Sequence, residues 1–218
     1  MPYSIMIDAG HGGNDPGAVY KGRREKDDNF ALAMEVGRIL SENGVDVLYT
    51  RTTDDYISPF ERARLANEAK VDFFISFHRN SSPEVNQYNG VEVLVYDKNG
   101  IKYEMAQNIV GALGELGFRE IGVQARPGLV VLRKTKMPAL LIETGFLNSD
   151  KDNRRIILEL HRESEFSGND IMEMLNLKPS RTVGILKKML SDAVTNGEID
   201  TSYAAGSNFI REKAKDIL

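Results

Sequence analysis

Short apolar runs alternate with helical patterns through residue 147, and this alternation constrains the fold more than any other feature of the sequence. The runs predicted to be strands are "SIMID", "VDVLYT", "DFFISF", "GVEVLVY", "LVVLR" and "ALLIE". Neighbouring parallel strands need long crossover connections, which are usually helices. The sequence therefore predicts an α/β fold, with a twisted, largely parallel sheet flanked by helices.

Three helices between these strands are predicted from apolar spacing and from the residues at their ends. The first follows Lys26, with two aspartates in its first turn. The second follows Pro59, because proline is favoured in the first turn of a helix, and its apolar residues at helical spacing are Phe60, Ala63, Ala66 and Ala69. The third spans about residues 101 to 116 and is predicted to stop at Gly117.

Ionisable side chains stand at the ends of three predicted strands. His11 follows "IMIDAG", His78 closes "FFISF" and Glu143 closes "ALLIE". In open α/β sheets, ligand sites gather beyond the carboxyl ends of the strands, so we expect these side chains to meet in one crevice. Glu25, on the loop expected before the first helix, is close enough in sequence to lean over the same place.

Two imidazoles and one carboxylate are a typical ligand set for a catalytic zinc ion, because they leave a fourth position open to water. The chain has no cysteine, so any metal must be bound through nitrogen and oxygen. A second carboxylate outside the ligand set would act as general base. The spacing leaves open whether Glu25 or Glu143 has that role.

His11 or His78, taken alone, could instead be a structural residue that caps the end of its strand and binds no metal. His161 differs from His11 and His78, because it lies in the charged stretch "ELHRESE" and is predicted to face solvent.

The charge and hydropathy of the chain argue against two classes of function. Its 28 basic and 32 acidic residues give a formal net charge of -4, which gives no support to nucleic-acid binding. No run of about eighteen apolar residues is present, so no membrane span is expected. The N-terminal residues show neither the basic nor the apolar segment of a signal peptide.

Five linked motifs resemble one enzyme family. The segments "IDAGHGGNDPGA", "REKDDNFALA", "TRTTD", "FISFHRNSS" and "PALLIETGFLNSDKDN" have the order and spacing of the zinc-dependent N-acetylmuramoyl-L-alanine amidases (the type-3 amidase family) of bacterial cell walls and phage lysins. The resemblance covers about residues 3 to 157. It implies a zinc hydrolase that cleaves the amide bond between N-acetylmuramic acid and L-alanine in peptidoglycan.

The resemblance also implies roles for individual residues. By their positions in the motifs, His11, Glu25 and His78 bind zinc, and Glu143 is the catalytic glutamate. Asn80 is a candidate substrate contact at the rim of the groove.

Further residues of the same motifs are expected to shape the site. The glycines around His11 allow a sharp turn and leave the imidazole open to a metal and a bulky glycopeptide. Asp8 and Asn14 are expected to orient this loop, and Arg51 is expected to fix a loop through an internal ion pair. Arg79 stands where the family often has a small or apolar residue, which predicts an altered preference of the groove.

From residue 150 onward strands cease, and a small helical appendage is predicted. About residues 167 to 210 resemble the C-terminal end of bacterial tRNA nucleotidyltransferases, without any part of their catalytic head. From residue 164 onward, 7 basic and 8 acidic residues nearly balance, which argues against autonomous RNA binding. We therefore predict two domains, a catalytic domain over residues 1–163 and a helical tail over residues 164–218, with Ser167 and Ser180 as helix caps.

The helices of the tail carry apolar stripes that require burial. From these stripes we expect the tail to pack on the catalytic domain or to pair with the same tail of a second chain, forming a homodimer. An independent helical unit is the alternative. The stripe residues are Ile171, Met174, Leu175, Val183, Leu186 and Leu190.

The predicted function is zinc-dependent peptidoglycan hydrolysis at the bacterial cell wall, by a protein secreted or released at lysis. The alternative is a peptidoglycan-binding module without turnover. The presence of all four candidate residues, His11, Glu25, His78 and Glu143, argues against that alternative.

Overall fold

The computed structural model of the protein describes residues 3–161, 168–195, 199 and 203–217. The chain divides into two units, Met1–Asn153 and Arg154–Leu218. The domain boundary predicted between residues 163 and 164 lies outside the described residues, as does the Ser167 cap, so both stay predictions.

Six strands of the first unit form one sheet. In chain order the strands are β1 (Ser4–Ala9), β2 (Val19–Tyr20), β3 (Arg23–Arg24), β4 (Asp46–Tyr49), β5 (Phe73–Asn80), β6 (Val91–Val95), β7 (Glu120–Ala125) and β8 (Ala139–Phe146). The sheet order is β4-β1-β5-β8-β6-β7, and β2 pairs separately with β3. All neighbours in the sheet are parallel except β6 and β8, which are antiparallel. The largely parallel sheet predicted from the sequence is confirmed.

Helices cover both faces of this sheet. They are α1 (Glu25–Glu42), α2 (Pro59–Ala69), α3 (Gly100–Glu115) and α4 (Val130–Lys134), and α5 (Asp150–His161) follows β8 along the chain. Because side chains alternate along a strand, Ile5 and Ile7 of β1 join the apolar cluster that contains residues of α1 and α3. Met6 joins the opposite cluster, which contains residues of α2 and α4. The sheet is thus the middle of three layers.

The first helix begins earlier than the sequence predicts. Glu25 is the first residue of α1 and does not lie on a preceding loop. The backbone N–H groups of Glu25 and Lys26 donate to the carbonyl oxygens of Ala18 and Pro16, at 2.9 and 3.1 Å. The preceding loop therefore satisfies the first-turn amides that a side-chain cap would otherwise satisfy.

The structure differs from the sequence predictions in three further places. The run "LVVLR" contributes to the short helix α4, not to a strand, because a short apolar run has no period that separates helix from strand. The edge strand β7, "EIGVQA", was not predicted, since it contains too few apolar residues to produce a strand pattern. In α2, Phe60 is exposed, and the buried face is formed instead by Arg62, Ala63 and Ala66.

The second unit contains three described helices and its own apolar cluster. The helices are α6 (Gly168–Leu175), α7 (Arg181–Thr195) and α8 (Tyr203–Ala214). The stripe residues of the tail pack against one another and against α8, and Met174 and Leu175 are only partly buried there. Three expectations for the tail stay predictions: its packing on the catalytic domain, a homodimer through the tail, and the resemblance to tRNA nucleotidyltransferases. The buried members of this cluster are Ile171, Val183, Leu186, Leu190 and Ile210.

Across the described part of the chain, no helix combines the length and apolarity that crossing a membrane requires.

Candidate metal centre

The loop after β1 holds His11 in an unusual backbone conformation. The φ angle of His11 is 62°, in the left-handed region that non-glycine residues seldom adopt. Gly12 and Asp15 pair through two backbone hydrogen bonds of 2.9 and 3.0 Å, which close the turn behind it. The guanidinium of Arg62 donates to the carbonyl oxygen of His11 at 2.8 Å. These contacts fix the direction in which the imidazole leaves the loop.

Asp8 acts on this loop through Arg62. Its buried carboxylate pairs with Arg62 at 2.6 Å and accepts hydrogen bonds from the hydroxyl groups of Thr50 and Ser76. A buried ion pair is favourable only when the remaining lone pairs find donors, and the two hydroxyl groups meet that condition.

Arg51 also holds the loop, but not through the ion pair expected from the sequence. Its buried guanidinium donates to the backbone carbonyl oxygens of Ala9, Gly10, Lys26 and Thr53, at 3.0 to 3.3 Å. The side chain therefore joins the end of β1, the first turn of α1 and the segment that contains Thr53, and its partners are carbonyl oxygens in place of a carboxylate.

His11, Glu25 and His78 converge on one point. Nε2 of His11 lies 3.1 Å from Oε1 of Glu25, and Nδ1 of His78 lies 2.9 Å from the same oxygen. One ligand atom of each residue lies within 4.8 Å of those of the other two, and among the described residues this is the group that could hold a metal ion. The sequence prediction that these three side chains meet agrees with this geometry.

Glu25 is held from several directions. Its Oε2 accepts a hydrogen bond from the backbone N–H of Ala18 at 2.9 Å. Its Oε1 accepts from the N–H of Arg79 at 3.1 Å and from the amide of Asn29 at 3.2 Å. Burial alone would raise the pKa of Glu25, but hydrogen bonds to His11 and His78 outweigh it and lower the pKa far below its usual range. The carboxylate is therefore ionised, as a metal ligand must be.

His11 lies between two carboxylates. While Nε2 faces Glu25, Nδ1 lies 2.8 Å from Oδ2 of Asp15. Burial opposes protonation, but the hydrogen bonds to Glu25 and Asp15 outweigh it and raise the pKa of His11 to about 9. In the metal-free protein the imidazole is thus protonated at neutral pH.

Glu143 has the opposite environment to Glu25. It is the register partner of His78 across β5 and β8, and its Oε2 is buried without a hydrogen-bond partner among the described residues. Burial raises the pKa of Glu143 to about 7, against the opposing effect of His78. A carboxylate that takes up and releases a proton near neutral pH is suited to general base catalysis.

A further carboxylate, Glu92, completes a row of polar side chains across three strands. It is the register partner of Glu143 across β6 and β8, so the row runs from His78 through Glu143 to Glu92. The amide of Asn80 on β5 donates to Oε1 of Glu92 on β6 at 2.6 Å. This hydrogen bond links β5 and β6, the two neighbours of β8 in the sheet. Asn80 as a substrate contact stays a prediction.

Arg79 does not line the groove in the way expected from the sequence. Its guanidinium is buried and lies 2.6 Å from Asp28 of α1 and 2.9 Å from the side-chain oxygen of Asn153 of α5. It also donates to the carbonyl oxygen of Phe146 at 3.2 Å. The alternation of a strand places Arg79 on the face opposite His78, so the residue links elements of the fold.

Sequence reasoning missed three residues of this centre: Asp15, Asn29 and Glu92. Asn29 follows Glu25 by four positions on α1, so helical spacing places both on one face, and this signal was available once the helix start was known. Asp15 touches His11 only because of the tight turn between them. Glu92 joins the row only through the antiparallel pairing of β6, for which the sequence has no signature.

The chain is similar to known cell-wall amidases. A family profile described as N-acetylmuramoyl-L-alanine amidase matches residues 5–164. The sporulation-specific N-acetylmuramoyl-L-alanine amidase of Bacillus subtilis (strain 168) is 33% identical over 189 residues, which cover 84% of this chain and 72% of that protein. The endolysin of Bacillus phage SPP1 is 35% identical over 186 residues, which cover 82% and 68%.

A solved structure supports the same similarity at the level of the fold. The crystal structure of the N-acetylmuramoyl-L-alanine amidase from Clostridium difficile 630 matches with a TM-score of 0.67 and 35% identity, covering 71% of this chain and 86% of that one.

Proposed function

Because the chain belongs to the family of N-acetylmuramoyl-L-alanine amidases, we propose that it cleaves peptidoglycan with a zinc ion held by His11, Glu25 and His78 and with Glu143 as general base. The family reaction is hydrolysis of the amide bond between N-acetylmuramic acid and L-alanine. The observation that supports this proposal most strongly is the convergence of the three donor atoms on one point beside Glu143.

The donors present suit zinc. Two imidazole nitrogens and one carboxylate oxygen are ligands that zinc prefers, and three protein ligands leave a position free, as in catalytic sites. Nε2 of His11 and Nδ1 of His78 both point at Oε1 of Glu25, at 3.1 and 2.9 Å. A zinc ion in such a site acts as a Lewis acid and lowers the pKa of water towards about 7.

The four residues then have two different roles, metal binding and proton transfer. His11, Glu25 and His78 hold the metal, and Glu143, whose Oε2 has no other partner among the described residues, takes the proton from the attacking water. The water oxygen forms a bond to the carbonyl carbon of the lactyl group. Glu143 returns the proton to the nitrogen of L-alanine as the carbon–nitrogen bond breaks, so the products are a carboxylic acid and a free amine.

Digestion of purified cell walls tests this function. We expect new amino groups that belong to L-alanine, identified by dinitrophenylation and hydrolysis, and we expect their release to stop when a chelator is added. Release of reducing sugars without L-alanine amines would instead identify a glycosidase and contradict the proposal.

The same digestion separates the enzyme from the alternative, a peptidoglycan-binding module without turnover. Such a module would sediment with the walls and release no amines. The variant Glu143→Ala is the matched control, because it removes the proposed base and leaves the three proposed ligands in place.

We propose further that the protein acts at the bacterial cell wall, with peptidoglycan as its partner and Asn80 near the substrate. A bacteriophage endolysin and a sporulation-specific amidase are both among its relatives.

A further inference from the structure

The carboxylate of Asp15 is placed against His11 by the turn that contains both residues. Its Oδ2 lies 2.8 Å from Nδ1 of His11. Its Oδ1 accepts a hydrogen bond from the backbone N–H of Gly17 at 3.0 Å, and its backbone pairs with Gly12. The carboxylate is therefore held at both oxygens, with one of them directed at the imidazole.

We propose that Asp15 is a positioning residue that fixes the ring of His11 with Nε2 towards the metal. This inference rests on the zinc site of the proposed function. Nε2 is the nitrogen that faces Glu25, at 3.1 Å, so metal binding requires a free lone pair on that atom. The ring proton must then lie on Nδ1, where Asp15 accepts it.

The ring of His78 is held in a different way, by packing. Its Nδ1, the opposite nitrogen to that used by His11, faces Glu25 at 2.9 Å. A Cβ atom at Gly10 would lie 2.3 Å from both Cε1 and Nε2 of His78, so this ring packs directly on the glycine backbone. The two proposed histidine ligands are thus oriented independently, one by a carboxylate and the other by packing.

The chain provides a matched control in Asp54. Its carboxylate accepts hydrogen bonds from the backbone N–H of Gly13 at 2.9 Å and from the ammonium of Lys26 at 2.6 Å. Asp54 therefore anchors the same glycine loop through Gly13 and Lys26, whereas Nδ1 of His11 is hydrogen-bonded to Asp15. A loss of zinc that follows Asp15 but not Asp54 reports on the ring, since both substitutions loosen the loop.

Zinc affinity, measured by competition with a chromophoric chelator, tests the inference on the full chain. Asp15→Ala should weaken zinc binding by about 10- to 100-fold, the usual effect of removing the partner of a metal-binding histidine. Asp15→Asn should lose less, about tenfold, because its amide oxygen can still accept the Nδ1 proton, although its amide nitrogen then faces the N–H of Gly17 and that hydrogen bond is lost. Asp54→Asn should bind zinc as tightly as the wild type.

A spectroscopic readout accompanies the affinities. In zinc-loaded wild type, side-chain nitrogen NMR should show a protonated Nδ1 on His11, and Asp15→Ala should shift or broaden that resonance while leaving His78 unchanged. If Asp15→Ala does not fold, Asp15→Asn provides the same test.

Equal affinity of the folded Asp15 variant and the wild type overturns the inference, as does an equal loss in Asp54→Asn. A wild type that binds no zinc would defeat the proposed function itself, so the two failures are distinguishable.

Discussion

At the scale of single residues, the site contains two carboxylates with opposite environments. Glu25 has donors on both oxygens and a pKa lowered far below its usual range, whereas Glu143 is buried with an unpartnered oxygen and a pKa of about 7. Environments that separate the pKa values of two acids also separate their roles. Glu25 suits a permanent metal ligand, and Glu143 suits a group that exchanges a proton.

The first prediction separates metal binding from proton transfer. Glu143→Ala should keep its zinc and lose turnover by about a hundredfold or more, because only the proposed general base is removed. Metal analysis and amine release from cell walls measure the two effects on one preparation. Loss of zinc together with turnover would make Glu143 a ligand and contradict this division of roles.

The second prediction concerns pH. In the metal-free protein His11 has a pKa of about 9, raised from 6.5, so below that pH its proton must leave before Nε2 can bind a metal. Zinc affinity should therefore rise with pH, by roughly tenfold per unit for one released proton, and level off above about pH 9. Calorimetry in buffers of different ionisation enthalpy counts the released protons. An affinity that is constant between pH 7 and 9 would contradict the assignment of His11.

Part of this site could be predicted from the sequence and part could not. His11 and His78 are predictable because each comes directly after an apolar run that marks a strand clearly, although β5 continues through His78 to Asn80. Arg79 was misplaced, although strand alternation alone puts it on the face opposite His78. Asp15 has no such pattern, because its contact with His11 depends on a left-handed turn whose direction is set by backbone angles.

At the scale of elements, close approach between β1 and β5 positions His78. The loop directly after β1 contains Gly10, whose missing side chain leaves the space that the imidazole of His78 occupies. A larger residue at position 10 would force the ring of His78 away from Glu25.

The third prediction tests this approach. Gly10→Ala places a methyl group 2.3 Å from the ring of His78, so the ring must move. Zinc binding should weaken, and turnover should fall by about a hundredfold for a displacement of about 1 Å.

Gly111→Ala in α3 is the control, because nothing lies within 4 Å of its added methyl group. It should leave zinc unchanged and stabilise the helix by about 0.5–1 kcal/mol. Equal zinc affinity in both variants would refute the packing argument.

The order of elements was predictable only in part. The apolar pattern predicts β1, β4, β5, β6 and β8 and the helices α1, α2 and α3, because short apolar runs alternate there with helical spacing. The reversal of β6 against β8 was not predictable, since β6 is buried along its whole length and has the apolar pattern of its parallel neighbours. That reversal brings Glu92 beside Glu143, so the sequence alone could not place Glu92 in the site.

At the scale of the whole molecule, the proposed catalytic residues all belong to the first unit, and the second unit has its own apolar cluster. The fourth prediction follows from this division. Truncation after Glu165 removes α6 to α8 and none of the four site residues, so zinc content and amine release should be retained. Loss of zinc in a folded truncated protein would show that the tail completes the metal site.

The same truncation tests the packing and the homodimer expected from the tail. A lower melting temperature at an unchanged oligomeric state would support packing on the catalytic domain, and a change from dimer to monomer would support pairing of tails. If the oligomeric state and the melting temperature are both unchanged, neither expectation holds and the tail is an independent unit.

Zinc content per chain after mild chelation shows whether His11, Glu25 and His78 together hold one catalytic zinc ion, as we propose. We expect about one zinc per chain in the wild type and in His161→Ala, and loss of most of the metal in His78→Ala, because an open site needs all three protein ligands. Full zinc content in His78→Ala would contradict the ligand assignment and the proposed mechanism.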